Sequence, residues 1–198
     1  MANVSRKGFW PVGTLSGSPW QGSVKRWGHG AGEARSLGIG DMCVLTATGN
    51  VNIAIASALN IVGSLVSREV IAKQTPSGTT MALSGETAVD LSRKYIKSAE
   101  VAQAYVCTAP DAIYECESAN GTPTVALIGA QVNLFDVAAG ADTTTGLSKQ
   151  VVDVGNPVVA SGQFKVVGLV ARADNEAASN MKIQVVINNP FLRNTTGV

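Results

Sequence analysis

FKVVGLVA (164–171) and MKIQVVI (181–187) are the segments from which the fold is read. Both are short, apolar and rich in β-branched residues, which suits a strand better than a helix. Val185, Val186 and Ile187 place apolar side chains on both faces, the pattern of a central, covered strand. Between the two segments lies ARADNEAASN (171–180), whose Asp174 and Asn175 are turn chemistry.

Moving outward, the same grammar recurs. Cys43, Val44 and Leu45 form one short β segment, and Val51, Ile53 and Ile55 alternate with Asn52 and Ala54. Residues 61–71 are apolar and β-branched, with Gly63 inside them, and QTPSGTT (74–80) is a turn cluster. Residues 105–107 and 113–116 flank Pro110-Asp111 and read as a hairpin. TPTVALI (122–128) reads as the start of a further strand, and residues 130–163 as surface loops joining short strands. Residues 84–103 carry good helix formers, with Ala88, Leu91, Tyr95 and Ile96 near helical spacing. They read either as one helix or as strands with charged outer faces. The class is therefore all-β, a sandwich or barrel-like domain with at most one short helix.

Residues 1–36 differ in texture. Gly, Ser and Pro dominate and no period persists, which reads as an extended N-terminal arm ahead of a β-rich domain over 37–198. All three tryptophans, Trp10, Trp20 and Trp27, fall there. Lys25 and Arg26 precede Trp27, a basic–aromatic group of the kind that anchors interfaces.

The totals exclude several classes. Charged residues make up 15% of the 198 and the formal net charge is +1, so no clustered basic surface for nucleic acid or acidic lipid is expected. Residues 42–67 carry no charge, but their Thr and Asn content argues against a membrane span. The start has no apolar run of signal-peptide length. The three cysteines, Cys43, Cys107 and Cys116, are odd in number and lack a CxxC spacing, so reduced, buried thiols and a cytoplasmic origin are expected.

Catalytic patterns do not assemble. His29, the single histidine, reads as a loop residue between glycines. Gly28, Gly30 and Gly32 fall short of a dinucleotide loop, because Glu33 stands where a third glycine is required. Glu115 and Glu117 share a strand face and read as a solvated face rather than a glycosidase pair. Asp174, Asn175 and Glu176 lack the spacing of a calcium loop and read as a surface turn. Neither an enzyme nor a cofactor is expected.

Several fragments, taken in order, resemble the capsid cement, or decoration, proteins of tailed bacteriophages. These are Gly8-Phe9-Trp10-Pro11-Val12, Gly17-Ser18-Pro19-Trp20, Arg26-Trp27, Ile39-Gly40-Asp41-Met42-Cys43-Val44, the 105–115 segment closing in Ile113-Tyr114-Glu115, Arg172-Ala173-Asp174-Asn175, and Ile187-Asn188-Asn189. The chain departs from that pattern at 28–32 and over 49–98. The resemblance implies a non-enzymatic protein without cofactor, made in the host bacterial cytoplasm. It would bind the outer surface of the head and stabilise contacts between major capsid protein subunits. Other copies of itself, as dimer or trimer, are further expected partners; a membrane and nucleic acid are not. Trp10, Trp20, Lys25, Arg26 and Trp27 are then the expected capsid-interface residues. The alternative is a carbohydrate- or receptor-binding β-sandwich module of a virion.

Overall fold

The computed structural model describes residues 7–30, 32–56, 58–70, 94–135 and 140–191. Its strands are β1 (Trp10–Thr14), β2 (Lys25–His29), β3 (Leu37–Gly38), β4 (Met42–Leu45), β5 (Val51–Ile53), β6 (Ile61–Val70), β7 (Tyr95–Ile96), β8 (Ala102–Cys107), β9 (Ala112–Ala119), β10 (Gln131–Phe135), β11 (Val151–Val158), β12 (Phe164–Leu169) and β13 (Lys182–Ile187). The one helical element among the described residues is a 3₁₀ turn at Val125–Leu127. The chain is all-β.

The first sheet closes on itself. It runs β1-β9-β11-β10-β12-β13, and β13 then pairs back onto β9. The ring is sealed by a short parallel contact, Val152 opposite Ser118 and Asp153 opposite Ala119. Such closure removes the exposed sheet edges that an open sheet must protect. Alternate residues point inward: Ala112, Tyr114 and Cys116 of β9, Phe164 and Val166 of β12, and Ile183, Val185 and Ile187 of β13. The two segments that decided the reading, β12 and β13, are paired antiparallel, with Val166 opposite Val185. Phe9 fills the barrel core, its ring stacked on Phe164 at 4.9 Å between centroids.

The second sheet, β2-β8-β6-β4-β5, is antiparallel and curls until its edges β2 and β5 touch. Glycines make that approach possible. A Cβ on Gly28 would sit 2.7 Å from Asn50 Oδ1, and one on Gly30 2.7 Å from Asn50 Nδ2. This sheet has two covered faces. Cys43, Val51, Ile53, Val62, Leu65, Ala104 and Val106 enclose a core of their own. Met42, Ala54, Ile61 and Cys107 face the barrel. The uncharged 42–67 run is thereby explained, since every residue of its strands but Ser67 is buried or half-buried. Gly63 (φ +146) is required at the seam, because a Cβ there would meet the Cys107 carbonyl oxygen at 1.6 Å. Tyr114 reaches across from the barrel and its hydroxyl donates to that same carbonyl at 3.1 Å.

Three readings of the elements change. First, the segment read as an arm supplies strands to both sheets: β1 pairs with β9 and β2 with β8. Second, the Pro110-Asp111 turn is present but joins no hairpin. β8 belongs to the second sheet and β9 to the first, so the turn is a corner between bodies. Third, TPTVALI contributes the 3₁₀ turn instead of a strand. The 84–103 segment, read as either one helix or strands, forms short strands and a turn in its described part, from 94 on; residues 84–93 lie outside the described residues, as does QTPSGTT. Ala99, at φ +59, breaks any helical run there.

Candidate interaction surface

The five residues read as an interface do not form one patch. Trp10 lies on β1 opposite Glu115, half-buried, and its Nε1 donates to the Lys7 carbonyl at 3.1 Å. Trp20 packs against the barrel core, with its buried Nε1 directed at the Cys107 thiol. Trp27 packs against the second core, with its Nε1 buried and unpartnered. Strand alternation explains this: Trp27 stands opposite Ala104, on the inner face of β8. Lys25 remains exposed, with Nζ 4.7 Å from the Trp27 ring centroid, a cation–π contact over the outer side of the indole. Arg26 alternates to the outer face opposite Tyr105. There the Tyr105 hydroxyl donates to Glu69 Oε2 at 2.8 Å. That carboxylate raises the Tyr105 pKa, while the adjacent Arg26 works in the opposite direction.

The remaining polar candidates are structural. His29 is a buried strand residue, not a loop residue; Nδ1 donates to the Glu100 carbonyl at 2.8 Å. Glu115 accepts a two-pronged contact from Arg172, at 2.9 and 3.2 Å. Its neighbour Glu117 is buried opposite Lys182 on β13, so the pair is not the solvated face expected from its spacing. Asn175 holds the β12–β13 connection from inside: Nδ2 donates to the carbonyls of Val170 and Lys182, and Oδ1 accepts from Lys182 N–H at 2.7 Å. All three cysteines are free and buried. Burial pushes the Cys43 and Cys116 thiols well above their usual range, so they are poor nucleophiles. Among the described residues no group of three or more His, Cys, Asp or Glu is placed to hold a metal ion. No helix among them is long and apolar enough to cross a membrane.

What stands out instead is the connection between β5 and β6. Two buried glutamines fix it from the barrel side. Gln150 Nε2 donates to Ala54 O at 2.9 Å while its Oε1 accepts from Met42 N–H. Gln163 Nε2 donates to both Ile55 O and Ala58 O, at 2.8 and 3.0 Å, while its Oε1 accepts from Leu134 N–H. Both amides are thus used at both ends, which anchors the backbone at Ala54, Ile55 and Ala58. Its side chains nevertheless face solvent: Leu59 is 71% exposed and Ile55 47%. Leu59 forms a ridge between two grooves. One, of about 480 Å³, is walled by Val44, Asn52, Ile53 and Ile55; the other, of about 190 Å³, by Ile61, Gly162, Ile187 and Asn188. Exposed aliphatic side chains beside backbone anchored in this way make a candidate contact surface, because each anchored position lowers the ordering entropy lost on binding. Sequence reasoning passed over Leu59; its signal was an apolar residue in a connection too short to bury it.

No family model matches the chain, nor does any curated protein or solved structure.

Proposed function

We propose that the protein is a capsid cement protein of the tailed-bacteriophage kind, made in the host cytoplasm and bound to the outer face of the head across major capsid protein subunits. The observation that carries this reading is where the resembling segments lie. Although dispersed in sequence, they meet in the fold. Phe9 N–H donates to Gly40 O at 2.8 Å, and Leu15 N–H, next to the Gly17 turn, donates to Asp111 O. Trp10 stands opposite Glu115, which Arg172 grips, and Arg26 stands opposite Tyr105. Contact among the resembling segments supports the reading, since a common set of segments that pack together is what a shared fold requires. Low charge supports an adhesive role further, because a surface with little self-repulsion packs readily against a neighbour.

The mechanism proposed is adhesion by an anchored surface. The ridge at Ile55 and Leu59 docks, and the tryptophans brace the N-terminal strands from within. Burying one leucine contributes about 1.5–3 kcal/mol. Repetition over the shell turns such modest contacts into reinforcement.

Undecorated heads of the phage that encodes this chain supply the test. Wild-type protein is expected to co-sediment with them at a saturating, fixed stoichiometry, and Leu59→Asp to bind at least tenfold more weakly while keeping its circular dichroism. Absence of wild-type binding refutes the cement reading. Undiminished binding by the Asp variant refutes the ridge as the contact and returns attention to Lys25 and Arg26.

A further inference from the structure

Asp41 is fully buried at the point where the β3–β7 ribbon, the second sheet and the barrel meet. A continuous set of bonds runs through it. Asp41 N–H donates to Gly38 O, and its own carbonyl accepts from Leu65 N–H at 2.8 Å. Gly40 bonds Leu65 on one side and Phe9 on the other, Ser148 N–H donates to Ile39 O, and Met42 N–H donates to Gln150 Oε1 at 2.6 Å. Residues 38–42 are thus the strip along which the two β bodies are stitched.

The carboxyl sits inside that strip. Oδ2 accepts from Gly38 N–H at 2.6 Å, the Ser148 hydroxyl also bonds the group, and Oδ1 is buried with no partner. The groups facing it are the Gly38 amide of β3, the Ser148 hydroxyl ahead of β11 and the Cys43 thiol of β4. Of these only the thiol titrates, and burial keeps it neutral far above its usual range. An ionised carboxylate here therefore has two hydrogen bonds and, among the described residues, no facing cation, a costly state for a buried charge. Burial accordingly raises the Asp41 pKa from 3.8 to about 7, despite the hydrogen bonds from Ser148 and Gly38.

We propose that Asp41 is a protonation latch: its neutral carboxyl closes the seam between the two β bodies, and its ionisation loosens that seam without unfolding the barrel. Oδ1 is buried, so on this proposal the ionised carboxyl gains solvent by lifting the 38–42 strip. Because the strip also carries the Phe9 and Leu65 bonds, loosening would be felt on both bodies at once.

Hydrogen exchange on the full chain tests this, with each amide corrected for its intrinsic rate at each pH. The seam reporters are the amides of Phe9, Gly40, Met42 and Leu65; the controls are those of β12 and β13. Between pH 5.5 and 8.5, seam protection relative to the controls is expected to fall at least tenfold in the wild type and to stay level in Asp41→Asn. A level ratio in the wild type overturns the proposal, as does an equal fall in the Asn variant. Should the Asn variant not fold, Asp41→Ser takes its place with the same two readings, and a level wild-type ratio is by itself enough to overturn the latch.

Discussion

Replacing Phe9 by Ala separates a strand woven into the core from a detachable arm. Phe9 is 0% exposed, and its ring lies 4.9 Å from that of Phe164 with 23° between planes. Its backbone is tied down as well, with Gly8 N–H donating to Gln150 O and Phe9 N–H to Gly40 O, both at 2.8 Å. Truncating a core phenylalanine to alanine costs about 3–5 kcal/mol, and the upper half applies where the site cannot collapse. Here the facing wall is a closed barrel, which resists collapse, and a stacked aromatic pair worth about 0.5–1.5 kcal/mol is lost with the ring. A loss of about 4 kcal/mol is therefore expected, against a total stability of about 5–15 kcal/mol for a domain. With a urea m-value of about 2 kcal/mol/M, the unfolding midpoint would drop by about 2 M. Val12→Ala, at a 40% exposed position on the adjoining β1, serves as control and should move the midpoint by less than a quarter of that. Equilibrium urea titration followed by far-ultraviolet circular dichroism reads both. A Phe9→Ala loss below about 1 kcal/mol would refute core membership. So would a cooperatively folding truncation lacking residues 1–30, since that truncation removes both β1 and β2.

Three further outcomes are expected. Gly63→Ala places a methyl against the Cys107 carbonyl and should destabilise by more than about 4 kcal/mol or abolish soluble expression; a variant with near-wild-type thermal midpoint contradicts the seam geometry. Intrinsic fluorescence should be blue-shifted and weakly quenched by acrylamide, because Trp20 and Trp27 keep Nε1 buried; red-shifted, freely quenched emission would mean the rings are not docked. For Asp41 the folded pKa is raised above the unfolded value, so its stabilisation is complete below pH 3.8 and is lost as pH rises towards about 7. The shift corresponds to about 4 kcal/mol. Thermal midpoints at pH 4.5, 6 and 8 should therefore fall more steeply in wild type than in Asp41→Asn, and parallel curves would contradict the buried carboxyl.

The all-β class was legible because β12 and β13 carry their burial in their own residues: runs such as KIQVVI need two covered faces wherever they are placed. Pairing was not. Pro110-Asp111 marks a turn correctly, yet a turn signal does not say whether the strands on either side meet each other or separate partners. The N-terminal reading failed for a related reason. Gly28 and Gly30 look like flexible linker residues in isolation, and only the approach of Asn50 from the far edge of the same sheet shows why side chains are absent there. The candidate contact surface was the least legible part. Leu59 is ordinary in sequence, and it matters because Gln150 and Gln163, distant in the chain, hold the backbone beneath it. Single-residue patterns encode faces, whereas long-range hydrogen bonds from buried amides leave no local trace.

The barrel's closing strand has a consequence for the order in which the chain becomes a protein. β9 is flanked by β1 on one side and by β13 on the other, strands drawn from opposite ends of the described chain. During synthesis β1 emerges first and waits for a partner, and the ring cannot be completed until Ile187 has left the ribosome. Pairings of such sequence separation are slow to form and leave apolar edges unprotected in the interval. The chain's exposure to aggregation is therefore greatest while it is being made, and slowing translation through residues 131–187 should lower its soluble yield more than slowing it before residue 112.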